Sequence, residues 1–296
     1  LDSVVVENQV RADNSDNLAY YNSQFNSGVY YIYSNDIAVE NSLVQGGTHG
    51  VTMNVVDGFT LRDNVIRDAR SDLVRVVSTK NGVIENNELN DAKPVDGDHP
   101  DAIQFGGWLG ETPENIVVRG NHITDDMSTG EVSVGMQGIF IADPGSTPYR
   151  DIVIEDNLIH VRSPNSIFVP AGSENVTVAN NTLLQNSGGG GYVRIVGDEG
   201  SSGSVMVENN VAYDLINDSG DWDSSTNAPN NFWVRKEGSW GWSDLLQDHD
   251  SSSGRQWQDF LPKDGTPIEF GSGLGATERL NELLSGDDTT TNSNSV

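Results

Sequence analysis

The segment Ile84-Glu-Asn-Asn-Glu-Leu89 decides the fold, because its pattern recurs along most of the chain. An apolar residue precedes a short polar stretch that ends in Asn, and usually one further residue and an apolar one follow. Full copies place Asn at positions 64, 87, 121, 157, 181 and 210. Two earlier, degenerate copies carry Gln9 and Ser42 at the Asn position. From Ser42 onward the intervals are 22, 23, 34, 36, 24 and 29 residues.

A second column of strand-like segments lies ten to fifteen residues before the Asn segments. Its members are Val29–Tyr31, Val51–Met53, Val74–Val76, Ile103–Phe105, Ile139–Ile141, Ile167–Val169 and Val193–Ile195. They alternate apolar and variable residues, which is typical of strands with one buried face. A period in the low twenties with several short strands predicts a solenoid whose coils stack about 4.8 Å apart. The recurring Asn then predicts an internal ladder at a turn.

This pattern resembles the right-handed parallel β-helix of pectate-lyase-like proteins, over roughly residues 4–235. The resemblance implies an all-β solenoid of about eight coils in residues 1–235. After the repeat, residues 236–286 predict an irregular C-terminal cap over the open end, with one short amphipathic helix at Leu274–Leu284. Residues 287–296 have the composition of a flexible tail.

Composition narrows the possible partners. The chain carries 16 Lys and Arg against 44 Asp and Glu, a net charge of −28, which predicts that it binds neither nucleic acid nor an anionic membrane. It has no Cys, so disulfides and thiolate chemistry are excluded. No segment is long and apolar enough to span a bilayer, and the start at Leu1 predicts a mature or excised segment. The resemblance implies an extracellular, cell-surface or virion-surface location.

One stretch, Asp96-Gly-Asp-His-Pro-Asp-Ala-Ile-Gln-Phe105, crowds three carboxylates, an imidazole and a carboxamide beside a strand. Asp96, Asp98 and Asp101 have the alternating spacing of a calcium loop, without its full length and terminal Glu. We expect them to form a calcium site, with Asp125 and Asp126 as further ligands. The alternative is an acidic loop that water solvates.

Insertions in the 34- and 36-residue coils predict a groove over the second column. Residues 90–100 and 124–137 precede its strands, and residues 106–115 and 142–151 follow them. The outward positions that would form the floor are Tyr30, Thr52, Arg75, Gln104, Phe140, Phe168 and Arg194, and those at the start of each strand are His49, Asp72, Asp101, Gln137 and Asn165. Polar groups beside aromatic rings in a groove suit a sugar chain.

The favoured hypothesis is an enzyme, a lyase or C5-epimerase acting on an acidic (uronate) polysaccharide. Such chemistry needs a cation to neutralise the sugar carboxylate and a base to remove the adjacent proton. Arg75 would be the cation, His99 the base, Asp101 its orienting partner or a calcium ligand, and Tyr149 the proton donor. Substrate contacts would come from Gln104, Trp108, Phe140, Phe168, Arg194, Lys80 and Asp72. The segment Asp-His-Pro-Asp at 98–101 is similar to the Asp-Pro-His-Asp/Glu element of alginate C5-epimerases, with Pro and His in reversed order.

Two alternatives stay open. A glycoside hydrolase would use Asp72 and Asp101, one coil apart, as its two carboxylates. His-Pro-Asp-Ala-Ile is similar to the Asn-Thr-Asp-Gly-Ile element of polygalacturonases, although their Gly-His-Gly and Arg-Ile-Lys elements do not occur here. A non-catalytic rod, monomeric or a spike-like homotrimer, would bind glycans as phage tailspikes and adhesins do. Each residue also has a structural interpretation: Lys80 would be a turn lysine, and His122 and His160 exposed coil positions.

Overall fold

The computed structural model describes residues 1–95, 97–125, 135–142, 147–186, 189–197, 204–248 and 256–286, and in it the chain winds as a parallel β-helix. Each coil presents three faces. We call them the first, second and third face, in the order in which the chain passes through them. Every strand pairing between neighbouring coils in the described residues is parallel, so the chain turns in the same direction throughout.

The first two faces belong to one continuous sheet. Val29–Glu40 and Val51–Arg62 each cross both faces. The other first-face strands are Val10–Asp13, Val74–Val77, Asp101–Gly106, Gln137–Ile141, Asn165–Pro170, Tyr192–Val196 and Asp214–Asn217. The other second-face strands are Ala19–Tyr21, Lys80–Glu85, Glu114–Arg119, Arg150–Glu155, Glu174–Ala179 and Val205–Glu208.

The third face is a separate sheet of short strands. Its members are Val5–Val6, Gln24–Phe25, Leu43–Gln45, Val65–Arg67, Glu88–Asn90, His122–Thr124, Leu158–His160, Thr182–Leu183, Val211–Ala212 and Phe232–Trp233. One antiparallel pair, Gln185–Asn186 with Gly189–Gly190, stands apart from both sheets. With ten third-face strands in the described residues, the solenoid is longer than the eight coils expected, because the first coils carry Ser instead of the ladder Asn and one further Asn, Asn231, follows the predicted copies.

The core follows the alternation predicted from the sequence. In most first-face strands two apolar positions point inward, as Val74 and Val76 do in one coil and Ile103 and Phe105 in the next. The register places Ile103 beside Val74 and Phe105 beside Val76, so like positions stack. Burying each such side chain contributes roughly 1.5–3 kcal/mol. The solenoid therefore has a core that runs along its whole axis.

The predicted Asn ladder is present between the second and third faces. The side-chain amide of Asn87 donates to the side-chain oxygen of Asn121 at 3.0 Å and to the carbonyl of Leu61 at 2.9 Å. The ladder runs from Asn64 to Asn231, one step beyond the predicted copies. The prediction for Gln9 was wrong: the backbone N–H of Ser23 donates to Ser42 Oγ at 3.0 Å, so Ser23 holds the position before Ser42, because this coil is only 19 residues long.

The C-terminal tail lies along the third face, which corrects the expectation that it covers the open end. Outward residues such as Leu158 and Val211 pack against Phe260 and Leu280 of the tail, and the backbone N–H of Gly275 donates to the carbonyl of Asn209 at 2.8 Å. The tail contains the 3₁₀ helix Trp257–Phe260 and the helices Val234–Glu237, Trp242–Leu245 and Thr277–Ser285, the last of them at the predicted place. The helix Ser224–Asn227 precedes the tail. Residues 287–296 lie outside the described residues, and no described helix is long and apolar enough to cross a membrane.

Two local features accompany the position of the tail. Trp222, not the tail, covers the open edge of the second face. Its ring is buried in the main core, and its indole N–H donates to the carbonyl of Val205 at 3.0 Å. His122 and His160 are buried, not exposed as predicted. The His122 ring meets the ring of Phe260 edge-on at 5.6 Å, so the tail covers this position.

Candidate functional site

The predicted outward positions of the first face form one continuous row, which we call the groove row. Adjacent members pair across neighbouring strands in the order Tyr30, Thr52, Arg75, Gln104, Phe140, Phe168 and Arg194. Six steps of about 4.8 Å give the row a length of roughly 29 Å. The prediction that these side chains share one face is confirmed.

The residues at the start of the same strands form a second row, which we call the polar row: His49, Asp72, Asp101, Gln137 and Asn165. The side-chain amide of Asn165 donates to Gln137 Oε1, and Gln137 Nε2 donates to Asp101 Oδ1 at 2.8 Å. The backbone N–H of Asp101 donates to Asp72 Oδ1 at 3.3 Å. His49 Nδ1 lies 3.3 Å from Asp72 Oδ2. Five residues from five coils are thus linked, with the step between Asp72 and Asp101 made through the backbone of Asp101.

The charge of this row depends on Asp101, whose side chain is fully buried. Its pKa is raised to about 8, first because burial removes the carboxylate from water and second because Asp72 is close. Hydrogen bonds from Gln137 and Gln104 act in the opposite direction. At neutral pH Asp101 is therefore mostly protonated, and the two carboxyl groups carry one negative charge. Arg75, whose Nε lies 4.0 Å from Asp72 Oδ2, balances that charge.

Two imidazoles flank this centre. His49 Nδ1 lies 3.3 Å from Asp72 Oδ2, an ion-pair distance without hydrogen-bond geometry, so the nearby carboxylate stabilises a positive charge on the ring without fixing its tautomer. The exposed His99 directs Nδ1 at Gln137 Nε2, 3.3 Å away. Because Gln137 Nε2 is a donor, His99 Nδ1 accepts, and the ring proton is on Nε2. His49 was noted in the sequence only for its place in the row, and its contact with Asp72 was the signal missed.

The predicted calcium site does not assemble from the described residues. Asp98 accepts from Arg70 Nε at 2.7 Å and from Arg70 Nη2 at 2.9 Å, and its pKa is lowered to about 2, chiefly by this contact. Asp101 accepts from Gln137 Nε2 at 2.8 Å and from Gln104 Nε2 at 3.1 Å. Asp125 is buried and accepts from the backbone N–H of Met136 at 3.2 Å. The described part of the chain holds no group of three His, Asp or Glu arranged for a metal, and Asp96 and Asp126 lie outside it.

Three further site predictions are corrected. Tyr149 was expected to donate a proton in the groove, but it is buried in the core, where its hydroxyl donates to the carbonyl of Phe105 at 3.4 Å. Asp72 and Asp101 are only 3% and 0% exposed, so a sugar cannot lie between them as the hydrolase hypothesis requires. Trp108 and Lys80 do not join the groove row. They line a separate cleft beside Tyr33 at the other end of the first-face strands.

The far end of the groove row is aromatic, as predicted. The rings of Phe140 and Phe168 stack with their centroids 4.5 Å apart and an angle of 28° between their planes. The Arg194 guanidinium lies 6.0 Å from the centre of the Phe168 ring, and Arg194 Nη2 is 2.6 Å from Asp218 Oδ2. This end offers a partly exposed apolar surface next to a paired cation.

Comparison with known proteins identifies the architecture. The family model described as "Right handed beta helix region" matches residues 4–212. Among solved structures, PfbA, a surface adhesin of Streptococcus pneumoniae, is similar at 12% identity with a TM-score of 0.52, over 74% of this chain and 58% of that chain. Pectate lyase Pel9A is similar at 14% identity with a TM-score of 0.45, over 87% and 78%. No curated protein sequence matches significantly. At these identities the structural likeness concerns the fold alone, and this chain spans little more than half of the PfbA chain.

Proposed function

The chain belongs to the right-handed β-helix family, and from that premise we propose that it binds a uronate-containing polysaccharide along the groove row and removes the proton at C5 of one sugar. The observation that carries the proposal is that Arg75 and His49 both lie close to the buried carboxyl group of Asp72, at 4.0 and 3.3 Å, with the exposed His99 next to the same row at Gln137. His49 can accept a proton, and the His99 Nε2–H can donate a hydrogen bond. Acid–base chemistry on a sugar acid needs both groups together with a cation.

The charge of the centre supports an anionic substrate in an otherwise acidic protein. Asp72 is balanced by Arg75, and Asp98 by Arg70. Asp101 adds no charge at neutral pH because its pKa is raised to about 8. A uronate carboxylate approaching Arg75 therefore meets a locally neutral surface rather than the repulsion that a net charge of −28 would suggest.

The proton transfers use both imidazoles. Arg75 pairs with the sugar carboxylate, which stabilises negative charge that develops at C5. His49 Nε2 accepts the C5 proton, while Asp72 stabilises the imidazolium that forms. In β-elimination the C5 electron pair forms the C4–C5 double bond, the C4–O4 bond breaks, and O4 takes the proton from the His49 imidazolium while His99 Nε2–H donates a hydrogen bond to it. In epimerisation a water bound by His99 Nε2–H protonates C5 from the opposite side, and the proton that His49 releases to solvent neutralises the remaining hydroxide. The geometry favours His49 over His99 as the base.

A second candidate is glycan binding without turnover. It is favoured by the Phe140–Phe168 stack and the partly exposed Arg194, which would hold a sugar without any acid–base group nearby. PfbA, which shares the fold, is a surface adhesin, so adhesion is a function that a β-helix can serve. Under either candidate we propose a polysaccharide partner and an extracellular or cell-surface location.

The test is incubation of the protein with a panel of uronate polysaccharides, followed by ultraviolet absorbance for unsaturated uronate and by proton NMR for inversion at C5. We expect one of the two signals from the wild type, unaffected by a chelator. His99→Ala should lose turnover while retaining polysaccharide binding. Intact, uninverted polymer throughout the panel would reject the enzyme, and polymer binding without turnover would then favour the second candidate.

A further inference from the structure

Three residues of the described chain have an unusual backbone conformation. Non-glycine residues with positive φ occur at many turns of the solenoid, and all but three of those described are Asn, Asp or Ser, which tolerate this region. The exceptions are Tyr33, Val55 and Leu109, with φ of 49°, 55° and 55°. A bulky or β-branched side chain is strained there. All three line the same cleft, so the strain is concentrated at one place on the surface.

The floor of this cleft, which we call the corner cleft, is the bend between the first and second faces. The strand register places Tyr33 and Val55 side by side, with Ser78 in the next coil. The segment Trp108–Glu111 folds back over this bend. The backbone N–H of Trp108 donates to Ser78 Oγ at 2.8 Å, and Ser78 Oγ donates to the carbonyl of Glu111 at 2.9 Å. The hairpin is therefore fastened to the solenoid at the bend.

The hairpin presents its side chains to solvent. Leu109 and Gly110 both have positive φ, as the two central residues of a tight type I′ hairpin turn do. Asn or Gly would suit the first central position better than Leu. Leu109 is 80% exposed, so its side chain stabilises no core. Strained residues persist mainly at functional sites, which makes the hairpin a candidate for binding.

The corner cleft has the surface of a sugar site. Its volume is ≈ 490 Å³. Tyr33 and Trp108 are 47% and 40% exposed, and their ring centres lie 6.0 Å apart with 50° between the planes. Together they form an angled aromatic surface. Lys80 Nζ lies 3.5 Å from Glu111 Oε2, and Asp57 lines the same cleft. These polar groups at its edge can pair with hydroxyls.

We propose that the corner cleft is a second glycan site, which binds neutral sugar residues on its aromatic surface. Aromatic rings pack against the apolar faces of sugars, while the charged groups at the edge take their hydroxyls. A uronate is disfavoured, because Lys80 is already paired with Glu111 and Glu114 and Asp57 adds a further negative charge. The proposal goes beyond the chemistry at Arg75, since it concerns a different sugar class at a different place.

Binding to neutral oligosaccharides tests the proposal. The probes are β-1,4-linked hexamers of glucose, mannose and xylose, measured by calorimetry and tryptophan fluorescence. We expect the wild type to bind at least one, and Trp108→Ala and Tyr33→Ala to bind it at least tenfold more weakly. Tyr21→Ala is the matched control, since Tyr21 is similarly exposed (41%) but lies outside the cleft. His49→Gln should bind the neutral hexamer as the wild type does, so failure of the C5 chemistry leaves this result unaffected.

Three results would overturn the proposal: no binding of any neutral hexamer, equal binding by Trp108→Ala and the wild type, or a dimer in sedimentation that Trp108→Ala abolishes. The last would make a second copy of the chain the occupant. Leu109→Asn provides a further test, since Asn tolerates the positive φ. It should raise the melting temperature by roughly 2 °C and weaken hexamer binding. Unchanged binding would contradict a role for the Leu109 side chain.

Discussion

Two rows of polar side chains, the Asn ladder and the polar row, run through the same coils. They have the same spacing but differ in composition and in charge. The Asn ladder repeats one neutral residue, and each step makes the same amide hydrogen bonds, as Asn157 does with Asn181 at 2.9 Å and with the carbonyl of Val118 at 3.1 Å. The polar row is mixed, with one His, two Asp, one Gln and one Asn in successive coils. It contains ionisable groups and raises the pKa of one of them, Asp101, to about 8.

This difference indicates that the Asn ladder stabilises the fold, whereas the polar row serves the proposed function. A buried polar group is stabilising only when its hydrogen bonds are made, and the ladder satisfies that condition with one residue repeated. The polar row keeps a destabilised carboxyl group in Asp101 and has the partly exposed imidazole of His49 at one end. Perturbed pKa values and unlike neighbours are typical of sites that move protons. Substitutions in the ladder should therefore change stability, and those in or beside the polar row should change activity.

The largest expected effect is on stability, from a substitution in the middle of the ladder. Asn157→Ala removes the Oδ1 that accepts from the backbone N–H and the side-chain amide of Asn121, and the amide that donates to Asn181 Oδ1 and to the carbonyl of Val118, so the buried backbone N–H of Asn121 loses its acceptor. We expect a loss of about 3 kcal/mol or more in the free energy of unfolding, measured in urea. Asn35→Ala, at an exposed position, is the control and should cost less than about 1 kcal/mol. Equal losses in the two variants would contradict the structural role of the ladder.

The next effect is on activity. Arg75→Gln removes the cation that meets the sugar carboxylate, so turnover of the uronate polymer should fall at least 100-fold. It also removes the ion-pair partner of the buried Asp72, so a moderate loss in the free energy of unfolding is expected as well. Arg150→Gln, which breaks a surface pair with Glu174 on the second face, is the matched control. If both variants turn over polymer at the wild-type rate, Arg75 is not part of the site.

A smaller effect concerns the pH dependence of stability. The folded-state pKa of Asp101 lies above its unfolded value, so the native state holds the proton more tightly. The resulting stability is fully present below the unfolded pKa and is lost as the pH rises through about 8. The wild type should lose about 1.4 kcal/mol from this group between pH 7 and pH 9. Asp101→Asn should show a correspondingly flatter profile in urea unfolding, and two parallel profiles would contradict the raised pKa.

The smallest expected effect on stability comes from the loop before Asp101. Asp98→Asn weakens the pair with Arg70, which is half exposed and contributes little at neutral pH. The lowered pKa of Asp98 means that its contribution is present above the unfolded pKa and is lost only as the pH falls toward about 2. We expect a nearly unchanged melting temperature at pH 7 but slower turnover, because the neighbouring His99 is less well positioned. A large drop in melting temperature would show that the loop is structural instead.

The period of the solenoid explains which features could be predicted from the sequence. Once the Asn repeat sets the register, each coil repeats the last, so the groove row and the five members of the polar row follow by counting. Counting failed at Gln9. The ladder position before Ser42 is held by Ser23 instead, because the coil between them has only 19 residues. Counting could not place Tyr149 or the C-terminal tail, because the insertions and the tail do not follow the repeat. The positions of His49 beside Asp72 and of His99 beside Gln137 depend on contacts between side chains of different coils, which spacing alone does not determine.

The most direct measurement follows the C5 proton itself. A uronate oligosaccharide labelled with deuterium at C5 is incubated with the protein, and release of the label into water is measured, since elimination and epimerisation both require it. We predict release by the wild type, at least a 100-fold slower release by His49→Gln, and unchanged unfolding of that variant. Release at the same rate by His49→Gln, or no release by the wild type from any uronate tested, would contradict the assignment of the polar row to proton transfer.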